Sequence, residues 1–185
     1  MSHFEYVAVM MSIIMGLGII RLLSSLDSVF SKDRYWPHAL WVFSLFWLHV
    51  QNWWGLWELR QVTFNVLIYS VLICYASVLY LSAVALTNRS GDDVSWKTHF
   101  YAQRRWFFGA LFLVVLIGTL MTRFLLGASL LHPYRLIQFS CLAMAALAFF
   151  RSHELTQKII SVLFLVLMMF GISLFRFMPD LFGAR

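Results

Sequence analysis

Six long runs of apolar residues, separated by short polar segments, dominate the chain. An apolar run of about 20 residues is long enough to cross the hydrocarbon core of a bilayer as a helix. Only helices satisfy every backbone hydrogen-bonding group within one segment, so this pattern predicts helices and excludes an open sheet. The predicted spans are residues 4–28, 37–57, 62–86, 106–126, 133–150 and 159–178. The sequence therefore predicts an all-α, polytopic transmembrane helical bundle that forms one domain over residues 1–185.

The fifth span is the weakest of the six. Its strongly apolar part covers only residues 137–150, and it needs residues 133–136 to reach across a bilayer. A short, tilted or interfacial helix is the alternative here, which leaves a bundle of four or five spans open. Short loops between the spans favour antiparallel neighbours. These loops are predicted at 31–36, 58–61, 87–105, 131–133 and 151–158.

The composition excludes an ordinary soluble protein. Hydrophobic residues make up 62% of the 185 residues and charged residues only 12%, against about 25% charged in a typical soluble domain. The two cysteines, Cys74 and Cys141, fall inside apolar runs, so no disulfide framework is predicted. The N-terminus lacks the basic segment of a secretory signal, and the first helix is therefore expected to remain in the mature protein.

The net charge of +6 indicates a membrane surface rather than nucleic acid, because Lys and Arg stand singly at the ends of apolar runs. Eight basic residues fall in the first, third and fifth loops and four on the other side, so the positive-inside rule predicts both termini outside. The third loop, 87–105, is the most basic, and its charges lie between residues 89 and 105. Its candidates for contact with lipid or with a cytoplasmic protein partner are Arg89, Lys97, Arg104 and Arg105.

The second predicted span carries a stripe of polar residues. At about 100° per residue, Ser44, Gln51 and Glu58 share one helix face, while His49 and Asn52 extend that arc. A charged side chain in hydrocarbon costs roughly 2.5 to 3.5 kcal/mol, so the stripe is expected to face protein or water. Two interpretations remain open: a hydrated path or buried binding site, and interhelical hydrogen bonds that fix packing.

Further charges extend the candidate lining and suggest a cluster on the outer side. Arg21 and Asp27 of the first span join the lining residues, and because they are about 120° apart around the helix they are not expected to pair with each other. On the outer side, Glu58 is placed to neutralise Arg123 or Arg176.

No cofactor, metal or catalytic group is predicted. A haem held between helices needs two histidines at matching depth, and only His49 lies near the middle of a span. A metal site from His38, His99 and His153 is geometrically possible, but these residues lack a short paired spacing. No recognisable catalytic motif is present, so an intramembrane enzyme is a weak alternative.

Three short motifs carry a resemblance. They are Phe4-Glu5-Tyr6 with the segment from Ser12 to Leu23, then Tyr35-Trp36 with His38 and Trp41, and Asn52-Trp53-Trp54. In these motifs the chain resembles a group of small, uncharacterised bacterial integral membrane proteins. The likeness covers mainly the first two helices and implies a bacterial inner membrane without implying an activity.

Two classes of function compete. The first is a small channel or transporter for an ion or small solute, in which the polar stripe of the second helix lines the path. Because a 185-residue bundle has little room for a wide pore, a conducting form is expected to be a homo-oligomer. The second is a non-conducting membrane subunit or sensor that docks a partner through the basic loop 89–105.

Overall fold

The protein is a bundle of helices. The computed structural model describes residues 3–26, 30, 34–88, 94–127, 129 and 134–177, and the side chains of 172 and 174–177 lie outside this description. Within these ranges there are no strands, and one 3-10 helix, Leu56–Gln61, follows the second α-helix. The α-helices are α1 (His3–Leu23), α2 (Trp36–Gly55), α3 (Val66–Thr87), α4 (Trp96–Phe124), α5 (Tyr134–Phe150) and α6 (Glu154–Phe177). The predicted all-α bundle is confirmed.

The six helices close into a ring. Going around it, α1 packs against α3, α3 against α4, α4 against α5, α5 against α6, α6 against α2, and α2 against α1. Helix α2 also contacts α3 and α4, so it leans toward the centre of the ring. Successive helices run in opposite directions, as short connections favour.

Ring and side-chain contacts identify the two ends of the bundle. At the end where α1 begins, called here the N-terminal end, the rings of Phe4 and Trp57 lie 6.5 Å apart. At the other end, called the histidine end, the Nε2 atoms of His38 and His99 both contact the Leu86 carbonyl oxygen. Each helix therefore passes from one end of the bundle to the other.

Four of the described helices are long and apolar enough to cross a membrane: α1, α3, α4 and α6. Helix α5 is shorter, and its 17 residues rise about 26 Å, less than the roughly 30 Å of a hydrocarbon core. Helix α2 has 20 residues but carries the polar stripe. The chain is thus an integral membrane protein by the length and composition of four helices.

The helix starts differ most from the prediction at α4. This helix begins at Trp96 instead of 106, because the Ser95 side chain accepts a hydrogen bond from the Thr98 backbone N–H at 3.2 Å. Trp96, Phe100 and Phe107 then follow a helical spacing and are buried. Helix α6 likewise begins at Glu154 instead of 159. The predicted loops 87–105 and 151–158 were therefore wrong over much of their length.

A buried aromatic cluster fills the centre of the ring toward the histidine end. The Trp41 ring lies 5.4 Å from Phe107, 5.1 Å from Phe108 and 4.9 Å from Phe164, measured between ring centroids. Each of these four side chains is at most 2% exposed. The cluster joins α2, α4 and α6 and leaves the open space of the bundle on its N-terminal side.

Candidate solute-binding cavity

A cavity of about 380 Å³ lies in the ring on the N-terminal side of the aromatic cluster. All six helices line it, for example through Met11, Gln51, Tyr75, Gly118, Gln138 and Met168. Its wall includes the exposed residues Glu58, Leu126 and Tyr134, so the cavity reaches the surface at the N-terminal end. Phe164 belongs both to the wall and to the aromatic cluster, which closes the cavity toward the histidine end. The site is a pocket open on one side, of a volume within the range of roughly 300–1,000 Å³ typical of ligand sites.

Helix α2 brings two amides to this cavity, and they differ in their contacts. Asn52 donates from Nδ2 to the Leu48 carbonyl oxygen at 2.7 Å and accepts a hydrogen bond from the Tyr75 hydroxyl. It therefore joins α2 to α3 as well as lining the cavity. Gln51 is half-buried and forms no hydrogen bond with any residue that the structure describes. Its amide is available to a bound solute or to water.

Arg135 forms the polar wall opposite α2. Its side chain is 2% exposed and donates to the Thr119 carbonyl oxygen at 3.0 Å, the Thr122 hydroxyl at 2.7 Å and Gln138 Oε1 at 2.6 Å. A guanidinium in such a place needs several acceptors, since burying a charge is costly unless it is hydrogen-bonded. These bonds hold the beginning of α5 against the end of α4 and fix Gln138 beside the charge.

The lining predicted from the sequence is only partly brought together. Gln51, Asn52 and Glu58 line the cavity. Glu58 lies on the 3-10 helix, however, so the α-helical spacing of about 100° per residue that predicted the stripe does not apply to it. Three other candidates lie elsewhere. Ser44 is buried with no hydrogen-bond partner among the described residues, His49 packs against α1, and Arg21 donates to Asn88 Oδ1 at 3.1 Å. Asp27 lies outside the described residues.

His49 illustrates why the stripe divides. Its Nδ1 contacts the Leu45 carbonyl oxygen at 2.8 Å, and its ring lies against Gly18 of α1 with no exposed surface. The missing side chain at Gly18 allows this close approach. His49 therefore serves the packing of α1 against α2, as the second interpretation of the stripe expects, whereas Gln51 lines open space.

The predicted outer charge cluster is not formed by the residues that can be compared. Arg123 is exposed at the end of α4 and makes no ion pair with Glu58. The side chain of Arg176 lies outside the described part of the chain, so its predicted pairing with Glu58 stays a prediction.

Much of the predicted basic loop is helical, and two of its basic side chains contact other parts of the protein. Lys97 forms an ion pair with Glu154 at 2.6 Å, which also pairs with Lys158 at 2.8 Å. Arg104, expected to contact lipid or a partner, is instead 7% exposed, and its Nη1 lies 2.6 to 2.9 Å from the carbonyl oxygens of Ala148, Phe149 and Arg151. It neutralises the C-terminal end of α5, where carbonyl groups lack helical partners. Arg105 is exposed, and Arg89 lies outside the described residues.

Two of the three candidate metal histidines meet, but at a backbone carbonyl oxygen, and the third lies apart. His38 and His99 place Nε2 at 2.9 and 3.2 Å from the Leu86 carbonyl oxygen, at the end of α3. His153 is exposed in the segment between α5 and α6. Among the residues that the structure describes, no three His, Cys, Asp or Glu side chains are grouped to hold a metal ion.

Sequence reasoning missed Tyr75, Arg135 and Gln138 as cavity residues. A signal existed for two of them, since Arg135 and Gln138 are three residues apart and therefore share a face at the start of the weakest span. From the sequence, Arg135 was counted only as one of the four basic residues on the outer side. Tyr75 gave no signal, because one tyrosine in an apolar helix has no distinguishing pattern.

No protein-family model, curated protein or solved structure matches this chain.

Proposed function

We propose that this protein is a small membrane transporter that binds a solute in the cavity between its six helices. The supporting observation is the one-sided pocket of about 380 Å³, whose wall carries the Gln51 amide, which no described residue hydrogen-bonds. A channel requires a continuous path, whereas the cluster around Trp41 fills the ring beyond Phe164. A carrier needs only one open side at a time.

The proposal includes six spans, both termini outside, and a bacterial inner membrane. Helices α2 and α5 complete the same ring as the four apolar helices, which supports counting them as spans. In this orientation the cavity opens to the outside. All of its walls come from one chain, so the site does not need the predicted homo-oligomer to be complete.

Transport is tested with purified protein in proteoliposomes and three radiolabelled probes of different charge: hexanesulfonate, alanine and sorbitol. We expect uptake of at least one probe above that of protein-free liposomes. Gly118→Leu should abolish it, because a side chain there passes Tyr75 at ordinary contact distance, 3.6 Å from Cβ to ring, and enters the cavity. Gly16→Leu is the matched control, since nothing lies within 4 Å of a Cβ at that position.

A second variant separates lining from packing. Gln51→Leu removes an amide that has no described hydrogen-bond partner, so uptake should fall while the thermal stability of the protein stays unchanged. Uptake that equals the protein-free background for all three probes would overturn the proposal, as would equal uptake by Gly118→Leu and Gly16→Leu.

A further inference from the structure

The direction of the hydrogen bonds around the cavity determines which groups remain for a ligand. A guanidinium only donates, so Arg135 must face the oxygen of the Gln138 amide, as its 2.6 Å contact with Oε1 shows. The NH₂ group of Gln138 then points away from Arg135. No described residue accepts a hydrogen bond from it, and Gln138 lines the cavity. Gln138 therefore offers donors to the cavity.

Asn52, like Gln138, has an N–H donor left for a ligand. Its amide oxygen accepts from the Tyr75 hydroxyl, and one Nδ2 hydrogen is given to the Leu48 carbonyl oxygen. An amide nitrogen carries two hydrogens, so one donor remains. The protein thus fixes two of the cavity amides with N–H groups available, and the third, Gln51, is free to turn its own NH₂ group in the same direction.

The cavity wall also carries a positive charge, which favours the same oxygen-rich ligands as the N–H donors do. The guanidinium of Arg135 contributes a buried positive charge, and the nearby Arg123 adds to the positive potential there. A charge acts more strongly in a buried, low-dielectric site than in water. Glu58 opposes it at the exposed mouth, where water screens a carboxylate. Amide donors on the α2 and α5 sides of the cavity, together with the cation on the α5 side, favour a ligand rich in acceptor oxygens.

The rest of the cavity is apolar. Leu48, Val114, Cys141 and Phe164 line the part nearest the aromatic cluster. A solute that carried charge at both ends would leave one end without a partner there, at the cost of burying a polar group. A short apolar tail fits this part, as apolar walls with a few placed polar groups are typical of ligand sites.

From this polarity we infer that the cavity binds a small amphiphilic oxyanion, a carboxylate or sulfonate with a short alkyl tail. Its head lies against the Gln138 amide and Arg135, and its tail lies toward Phe164. The inference rests on the proposed function, since it names the class of solute for the same cavity.

Binding is tested with the whole protein in nanodiscs of neutral phosphatidylcholine by titration calorimetry. The probes are hexanesulfonate and hexyltrimethylammonium, which share a tail and differ in charge. We expect the wild type to bind the sulfonate at least about tenfold more tightly than the ammonium. Gln138→Glu keeps an oxygen for Arg135 but replaces the donor by a negative charge, so sulfonate affinity should fall by about tenfold or more.

Gln103→Glu is the matched control, because it makes the same chemical change on α4 outside the cavity and should leave affinity unchanged. If Gln138→Glu does not fold, Gln51→Glu gives the same test at a side chain without described hydrogen bonds. Preference for the ammonium, or unchanged sulfonate affinity in the folded cavity variant, would overturn the inference. Uptake of alanine or sorbitol that Gly118→Leu blocks, without sulfonate binding, would overturn the ligand class and leave the transporter standing.

Discussion

The contact between His49 and Gly18 makes the crossing of α1 and α2 sensitive to a single methyl group. A Cβ atom at Gly18 would lie 2.8 Å from His49 Cδ2, 3.3 Å from Cε1 and closer still to Nε2. The His49 ring is fully buried, and its Nδ1 contacts the Leu45 carbonyl oxygen at 2.8 Å. It therefore has no room to withdraw without losing that hydrogen bond.

The expected size of the effect follows from two opposing contributions. Overpacking a buried site costs about 1 to 3 kcal/mol, whereas replacing a helical glycine by alanine gains about 1 kcal/mol of helix propensity. Gly16→Ala makes the same replacement in α1 with nothing within 4 Å of the new Cβ, so it keeps the gain alone. We therefore expect Gly18→Ala to be less stable than Gly16→Ala by about 1 to 3 kcal/mol.

Reversible unfolding in mixed micelles with increasing fractions of dodecyl sulfate measures these free energies. His49→Ala removes the obstacle, so adding Gly18→Ala to that variant should cost far less than it does in the wild type. Equal free energies of unfolding for Gly18→Ala and Gly16→Ala would refute the packing role of His49, and so would a double variant in which the two losses simply add.

Two further predictions concern helix ends and use the same unfolding assay. Arg104→Ala should cost about 2 kcal/mol, because it removes a buried charged donor, although Gln157 still donates to two of the three carbonyl oxygens. Arg105→Ala, at the exposed neighbour, should change stability little, and similar losses in both variants would contradict the capping role. Asn65→Ala should cost about 1 kcal/mol, since Asn65 Oδ1 accepts from the Ile68 N–H at 2.9 Å, and an unchanged value would count against this cap.

The apolar runs were sufficient to predict the helices, but not where they begin. Hydropathy marks the stretch of α4 that matches hydrocarbon, while its charged first turns were assigned to a loop. Those turns contain Trp96, Phe100 and Phe107 at helical spacing, a signal that hydropathy alone overlooks. The start was set by a local cap at Ser95, which acts through one hydrogen bond and not through average polarity.

The cavity was less predictable than the fold. A polar residue within a span gives the same sequence pattern whether its side chain packs against a neighbouring helix or lines a cavity. Gln51 and His49 lie two positions apart, yet one lines the cavity and the other packs against Gly18. The difference depends on which helix stands opposite each side chain. Ring order is a tertiary property, and the short loops fix only the direction of successive helices.

Helices α4 and α5 are fastened to each other at both extremities. Arg104 of α4 holds the last carbonyl groups of α5, and Arg135 of α5 holds Thr119 and Thr122 near the end of α4. Hydrogen bonds near both ends of the two helices favour their movement as one rigid body. We therefore expect Thr122 and Gln138 to keep their separation, so that the width of the cavity beside them depends on where the other helices, α2 among them, stand relative to this pair.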